Sequence, residues 1–263
     1  MGTNDGHLPI GSAKYNGLSW GGVPGKRTWK PGTVARTPFF LPDCGAMTNA
    51  STPQALYPSR AAAGTMLGRQ LYHRVTPPVL LLGITPTGVE IAAAAAQGIS
   101  AAFDVIVGAH IRLDGHGIIG AIAEDGDAVI DRGFEPGFSL LDTLNEAIDR
   151  ARRAVKSERL LFRGQRQIRA LGEQTVIVID GYVTSPWKLL ASAETALALG
   201  AGRVVAAAAV ATQTAKERVS AHKVDFVCPT VVLDDAGHPM PFGDPQEPSA
   251  ERLRSIVVAR QAA

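Results

Sequence analysis

The chain has 263 residues, 46% of them hydrophobic, which is enough for one full α/β domain plus additional material. Charged residues make up 19% and the formal net charge is +2, so there is no basic excess of the kind that marks a nucleic-acid binder. No apolar run approaches the roughly 20 residues that span a bilayer, and the opening MGTNDGHLPIGS has neither the basic start nor the apolar stretch of a signal peptide. The expectation is a soluble cytoplasmic protein with no membrane partner. The cysteines, Cys44 and Cys228, have no CxxC or Cys/His spacing, which argues against structural zinc. Two buried thiols in a reducing compartment is the plainer reading, and one disulfide between them is the other.

Residues 1–56 are rich in Gly, Pro, Ser, Thr and Asn and show no hydrophobic period, which reads as an irregular N-terminal extension. Trp20, Trp29, Phe39, Phe40 and Leu41 suit an arm packed on its own domain or on a second subunit. The pattern then changes. Arg60–His73 reads as a helix, with Ala63, Leu67 and Leu71 on one stripe. Val79–Ile84 (VLLLGI) suits a strand buried on both faces. Thr85–Gly88 is a turn, and Val89–Gln97 a helix stopped by Gly98. Phe103–Val107 is the next strand, and the glycine-rich Gly115–Gly126 holds an apolar centre suited to a strand pair.

The longest helical pattern is Ser139–Leu161, followed by a basic connector, Arg163–Leu171. Thr175–Ile179 (TVIVI) is a second buried strand and Pro186–Leu199 a helix ended by Gly200. Arg203–Val210 and Val224–Cys228 read as strands, with a short helix, Ala215–Ala221, between them. Ser249–Arg260 closes the chain as a helix with Ser249 as N-cap. Strands alternating with helices predict an α/β fold: a mostly parallel twisted sheet flanked by helices, with its ligand site at the carboxyl ends of the strands. The expected division is an extension over 1–56, a main domain over 57–235 and a C-terminal segment over 236–263.

Thr175–Thr212 (TVIVIDGYVTSPWKLLASAETALALGAGRVVAAAAVAT) places a buried strand, an acidic residue, a short loop, a helix and a second strand in succession. This order resembles the signature of type I phosphoribosyltransferases. Tyr57-Pro58-Ser59-Arg60 with Ala63-Gly64, the turn at Gly83–Val89, Gly120–Glu124 and the Arg152–Arg163 region resemble the same family, so the likeness runs over roughly 57–232. The resemblance implies the type I phosphoribosyltransferase fold, a transferase of nucleotide metabolism, a homodimer, and a loop that wraps the 5′-phosphate of phosphoribosyl pyrophosphate. It implies Asp180 as the catalytic carboxylate and Gly181, Thr184, Ser185, Trp187 and Lys188 as the phosphate loop. Thr85, Thr87 and Gly88 would form the pyrophosphate loop, with His110 and Arg112 as polar partners. Mg²⁺ would be the cofactor of any retained activity, reached indirectly through Asp180.

The departures from the family pattern fall on the chemistry. Ile179 stands at the first acidic position, and Ser185, Pro186 and Trp187 replace small loop residues. Thr85-Pro86-Thr87-Gly88 lacks the usual arginine, and Ala109-His110 stands where an Arg-Lys pair is expected. Ser185 followed by Pro186 reads as a helix start whose hydroxyl satisfies a backbone N–H in place of a phosphate. The contrary reading keeps Thr184, Ser185 and Lys188 on an anion, with Trp187 stacked on a ring. The expectation is therefore a transferase-family pseudoenzyme serving binding, assembly or regulation. The alternative is an active Mg²⁺-dependent enzyme or a binder of a phosphorylated ribose or nucleotide.

His110, Arg112, Asp114 and His116 read as a solvated polar loop, with a proton-transfer histidine as the functional alternative. Arg150–Arg169 holds eight Lys or Arg and one acid, Glu158. A solvated helix face is the plainer reading of that run, and a nucleic-acid contact the other.

Overall fold

A computed structural model describes residues 55–163, 168, 171–234, 240–244 and 246–261. The expectations for the N-terminal arm and for Cys44 lie outside the described residues, as do Arg166 and Arg169 of the basic connector.

In chain order the elements are α1 (Arg60–Tyr72), β1 (Val79–Ile84), α2 (Thr87–Ile99), β2 (Ala102–Ile106), β3 (Gly108–Leu113), β4 (Gly117–Ala123) and β5 (Val129–Ile130). After a 3₁₀ turn at Phe138–Leu140 come α3 (Leu141–Arg163), β6 (Thr175–Val183), α4 (Trp187–Ala198), β7 (Arg203–Thr212), α5 (Gln213–Ala221), β8 (Asp225–Val227), β9 (Thr230–Val232) and α6 (Ala250–Gln261). The main sheet is parallel, in the order β2-β1-β6-β7-β8 with β9 also on β7. A second sheet, β3-β4-β5, is antiparallel.

The strands explain the layers. On β6, Ile177 and Ile179 face one core with Leu67 of α1, Ile91 of α2 and Leu253 of α6. Val176 and Val178 face the opposite core with Leu189 and Leu190 of α4 and Val219 of α5. This alternation is the period-2 consequence of a pleated strand buried on both sides. A third core joins Ile111 and Leu113 of β3 to Ala147, Ala151 and Val155 of α3. Phe242 and Val257, in the expected C-terminal segment, share the first core with α1 and α2.

The connection from β1 passes through α2 to β2 on one side, and that from β6 passes through α4 to β7 on the other. Chain paths that diverge from adjacent parallel strands leave a crevice at their carboxyl ends, where open α/β sheets bind ligands.

Several boundaries differ from the sequence reading. β6 runs on through Asp180 to Val183, because Tyr182 and Val183 still pair with Val210 and Ala211 of β7. α2 passes through Gly98 to Ile99, and Ser100, in the left-handed region at φ 51, caps it instead. His110 and Arg112 lie on β3, paired to β4, and not in a solvated loop; the turn is confined to 114–116. The glycine-rich stretch supplies one strand, β4, whose partners β3 and β5 lie to either side of it in the chain. The short strand β9 had no counterpart in the sequence reading.

Candidate functional site

The crevice between the ends of β1 and β6 holds a cleft of about 320 Å³. That is the lower end of the roughly 300–1,000 Å³ usual for small-molecule sites. Its floor and one wall come from Pro86 and Thr87 after β1, His110 of β3, Asp180 and Tyr182 of β6, and Thr184, Ser185 and Lys188 at the start of α4. The opposite wall is Arg60 with Met240, Pro241, Phe242, Asp244 and Glu247.

Asp180 is 4% exposed and both its oxygens are engaged. Oδ1 accepts the Gly181 N–H at 2.7 Å and the Thr87 hydroxyl at 3.4 Å. Oδ2 faces the Lys188 ammonium at 3.6 Å. Two glycines make this geometry possible. A Cβ on Gly181 would lie 2.6 Å from the Thr87 hydroxyl, and one on Gly88 would strike the carbonyl of Ile179. Both positions thus let α2 approach β6, and the missing side chain at Gly181 faces Thr87. Gly181, expected in the phosphate loop, is itself not among the residues lining the cleft.

His110 is held near neutral form. Burial is the main reason its pKa falls from 6.5 to about 4; the Lys188 and Arg112 cations add to the fall, while Asp180 and a hydrogen bond to the Gly120 backbone oppose it. Its Nδ1 is buried and has no hydrogen-bond partner among the described residues. The Tyr182 phenol is shifted upward by burial and by Asp234.

The start of α4 departs from the sequence reading. Pro186, at φ −74 and ψ −16, takes the capping position and no side chain bonds the first turn. The Ser185 hydroxyl is buried without a hydrogen-bond partner among the described residues. It therefore does not stand in for an anion at the helix start, and the free N–H groups there keep their demand for one.

Trp187 also lies elsewhere than a stacking role requires. It is 3% exposed, belongs to the α4 core and meets the His222 ring edge-on, with centroids 5.8 Å apart. It is not among the residues lining the cleft, and the cleft stays open beside it. Of the expected pyrophosphate loop, Thr87 lines the cleft. Thr85 is 1% exposed behind it with an unpartnered hydroxyl, and Gly88 packs on β6. Arg112 is exposed two residues along β3 from His110 and does not line the cleft.

Sequence reasoning missed Arg60, Tyr182 and the wall of Met240, Pro241, Phe242, Asp244 and Glu247 as site residues. Arg60, a charged residue opening α1 just before the run Ala61-Ala62-Ala63, was the available signal. The wall left none, because its Pro-rich chain has no period. The basic face of α3 also has acidic company: Arg152, Lys156 and Arg159 share a cavity with Glu124, Asp125 and Asp127, and Arg159 meets Asp125 at 2.7 Å.

No family model matches the chain. Two Mycobacterium tuberculosis proteins, from strains CDC 1551 and H37Rv, are each 28% identical to it over 177 residues, and both carry phosphoribosyl transferase as a provisional name. The match takes in 66% of this chain and 40% of theirs, so the chain spans about two-fifths of the length of these relatives. The crystal structure of TT1426 from Thermus thermophilus superposes with a TM-score of 0.64 at 24% identity, over 77% of this chain and 98% of that one.

The chain is type I phosphoribosyltransferase-like. Its mostly parallel sheet, flanked by helices, is the fold that the family resemblance implied. In this phosphoribosyltransferase-like chain a divalent cation fits the donor set at β6 poorly. The carboxylate of Asp180 has both oxygens committed, one of them to an ammonium. Among the described residues no group of three or more His, Cys, Asp or Glu is placed to hold a metal. No helix among them is long and apolar enough to cross a membrane.

Proposed function

We propose that this phosphoribosyltransferase-like chain binds a phosphorylated ribose or nucleotide in the β1–β6 cleft and has lost transferase turnover, so that it serves as a binding or regulatory protein. The observation that carries this reading is the state of Asp180. Its carboxylate is tied to the Gly181 N–H, the Thr87 hydroxyl and the Lys188 ammonium, which occupies most of its accepting capacity and leaves little for ribose hydroxyls or a metal. What supports binding is the rest of the cleft: a cationic Lys188, an unpartnered Ser185 hydroxyl and a helix start without a side-chain cap. On this reading the 1–56 extension serves assembly, by contact with a second subunit or another protein.

The open cleft beside Trp187 favours a second reading, in which turnover is retained. The two are separated by incubating the full chain with phosphoribosyl pyrophosphate, Mg²⁺ and the common nucleobases, and measuring pyrophosphate release beside the melting temperature. A binder gains stability by mass action, about 2.7 kcal/mol at a ligand concentration a hundred times Kd, and releases no pyrophosphate. Pyrophosphate release that Asp180→Asn abolishes would establish the active transferase instead. An unchanged melting temperature at millimolar ligand would remove the binding reading.

A further inference from the structure

We infer that Lys188 is a built-in counter-cation, so that the cleft takes up a phosphorylated ligand without a divalent metal. This deepens the binding reading above and rests on it. Lys188 is the second residue of α4, and its side chain, 18% exposed, reaches back to Asp180 at the carboxyl end of β6. At 3.6 Å this is an ion pair rather than a close hydrogen bond. An ammonium carries three donor hydrogens, and both residues line the cleft. A divalent ion seeking Asp180 Oδ2 would meet the Lys188 charge at the same oxygen, and like charges at that range repel. Magnesium is usually held by one or two carboxylates together with waters and substrate phosphates, and here the one carboxylate at the end of the cleft has both oxygens engaged.

An oxyanion, by contrast, finds complementary groups close together. The Ser185 hydroxyl is buried and unpartnered, three residues before Lys188. The first turn of α4 offers N–H groups that no side chain caps; the ladder begins with Leu190 N–H to the Pro186 carbonyl. Charge balance follows the same logic. Lys188 and Asp180 together are neutral, so an arriving phosphate shares the ammonium with Asp180 and needs no metal to screen the carboxylate. Asp180 then acts as a positioning residue for Lys188 and as a brake on anion affinity.

The test is calorimetric titration of the full chain with ribose 5-phosphate, in EDTA and in Mg²⁺, with ribose as the uncharged control. Affinity for ribose 5-phosphate should agree within about twofold between the two buffers. Asp180→Asn should tighten binding, because it frees the ammonium, whereas a metal-holding carboxylate would give weaker, Mg²⁺-insensitive binding on the same change. Lys188→Met should weaken binding at least about tenfold, as loss of a charge-assisted hydrogen bond does, and Lys188→Arg should restore most of it. Wild-type binding that requires Mg²⁺ would overturn the counter-cation while leaving the binding reading intact. Absence of binding in both buffers would overturn both. If Lys188→Met does not fold, the wild-type comparison of the two buffers and the direction of the Asp180→Asn effect decide the matter.

Discussion

His110 illustrates how a single side chain in this cleft ties stability to pH. Its imidazole is buried beside two cations, which lowers the pKa from 6.5 to about 4, mainly through desolvation. In the unfolded chain the ring takes up its proton near pH 6.5. Between about pH 6.5 and 4 the unfolded state therefore binds more protons than the folded state, and stability rises with pH through that window. The contribution is present in full above pH 6.5 and is lost as pH falls toward 4. At about 1.36 kcal/mol per unit it amounts to roughly 3 kcal/mol, an order-of-magnitude figure. Urea unfolding at intervals from pH 4 to pH 7 should show a slope that His110→Asn flattens. The same slope in the variant would mean that other groups carry the acid sensitivity. None of this was legible in the sequence, where His110, Arg112, Asp114 and His116 looked like one solvated cluster. The alternation of Ile111 and Leu113 with His110 and Arg112 is a strand pattern, and pairing of His110 with Ala121 of β4 fixes the imidazole on the strand.

At the scale of elements, two helix starts that look alike in sequence behave differently. At α5, Thr212 is extended at φ −73 and ψ 157, and its hydroxyl accepts the Ala215 N–H at 3.2 Å. At α4 the Ser185 hydroxyl has no hydrogen-bond partner among the described residues. Thr212→Ala should therefore cost about 1 kcal/mol, the usual cost of a lost N-cap, while Ser185→Ala should be neutral within about 0.5 kcal/mol or slightly stabilising. Denaturant midpoints of the two variants check this, and a full cap-sized loss at Ser185 would restore the reading of α4 as self-capped. The element types themselves were legible. VLLLGI and TVIVI are unbroken apolar runs too short for helices and flanked by turn residues, and both are strands of the parallel sheet. What periodicity could not give was the end of β6, because Gly181 and Tyr182 look like loop residues until Tyr182 and Val183 pair with β7.

For the molecule as a whole, the parallel order and its crevice could be argued from alternation of strands and helices, but the far wall of the cleft could not. That wall depends on long-range contacts of a Pro-rich segment, and Arg60 is the residue that gathers them. Its guanidinium donates to the carbonyls of Asp244 and Gln246 at 3.1 and 2.5 Å and lies 5.6 Å over the Phe242 ring. It also meets Glu90 of α2 at 3.5 Å, while Arg252 of α6 bonds the other oxygen of Glu90. Arg60 and Glu90 are 6% and 7% exposed, so this is a buried ion pair joining α1, α2 and the wall, with an exposed arginine as its third member. Removing Glu90 leaves the Arg60 charge with only the half-exposed Asp244 carboxylate at 3.9 Å, and loss of one partner of a buried pair typically costs about 3–5 kcal/mol. Glu90→Ala should lose about that much and should also loosen the 240–246 wall, read as faster amide exchange at Leu56 and Tyr57, whose N–H groups bond Met240 and Pro241. Arg252→Ala removes a side chain that is 67% exposed and should cost about 1 kcal/mol or less. The ranking is the decisive outcome: equal losses for the two variants in urea unfolding would mean that Asp244 and the wall carbonyls suffice for the Arg60 charge, and that the Glu90 pair does not hold the wall.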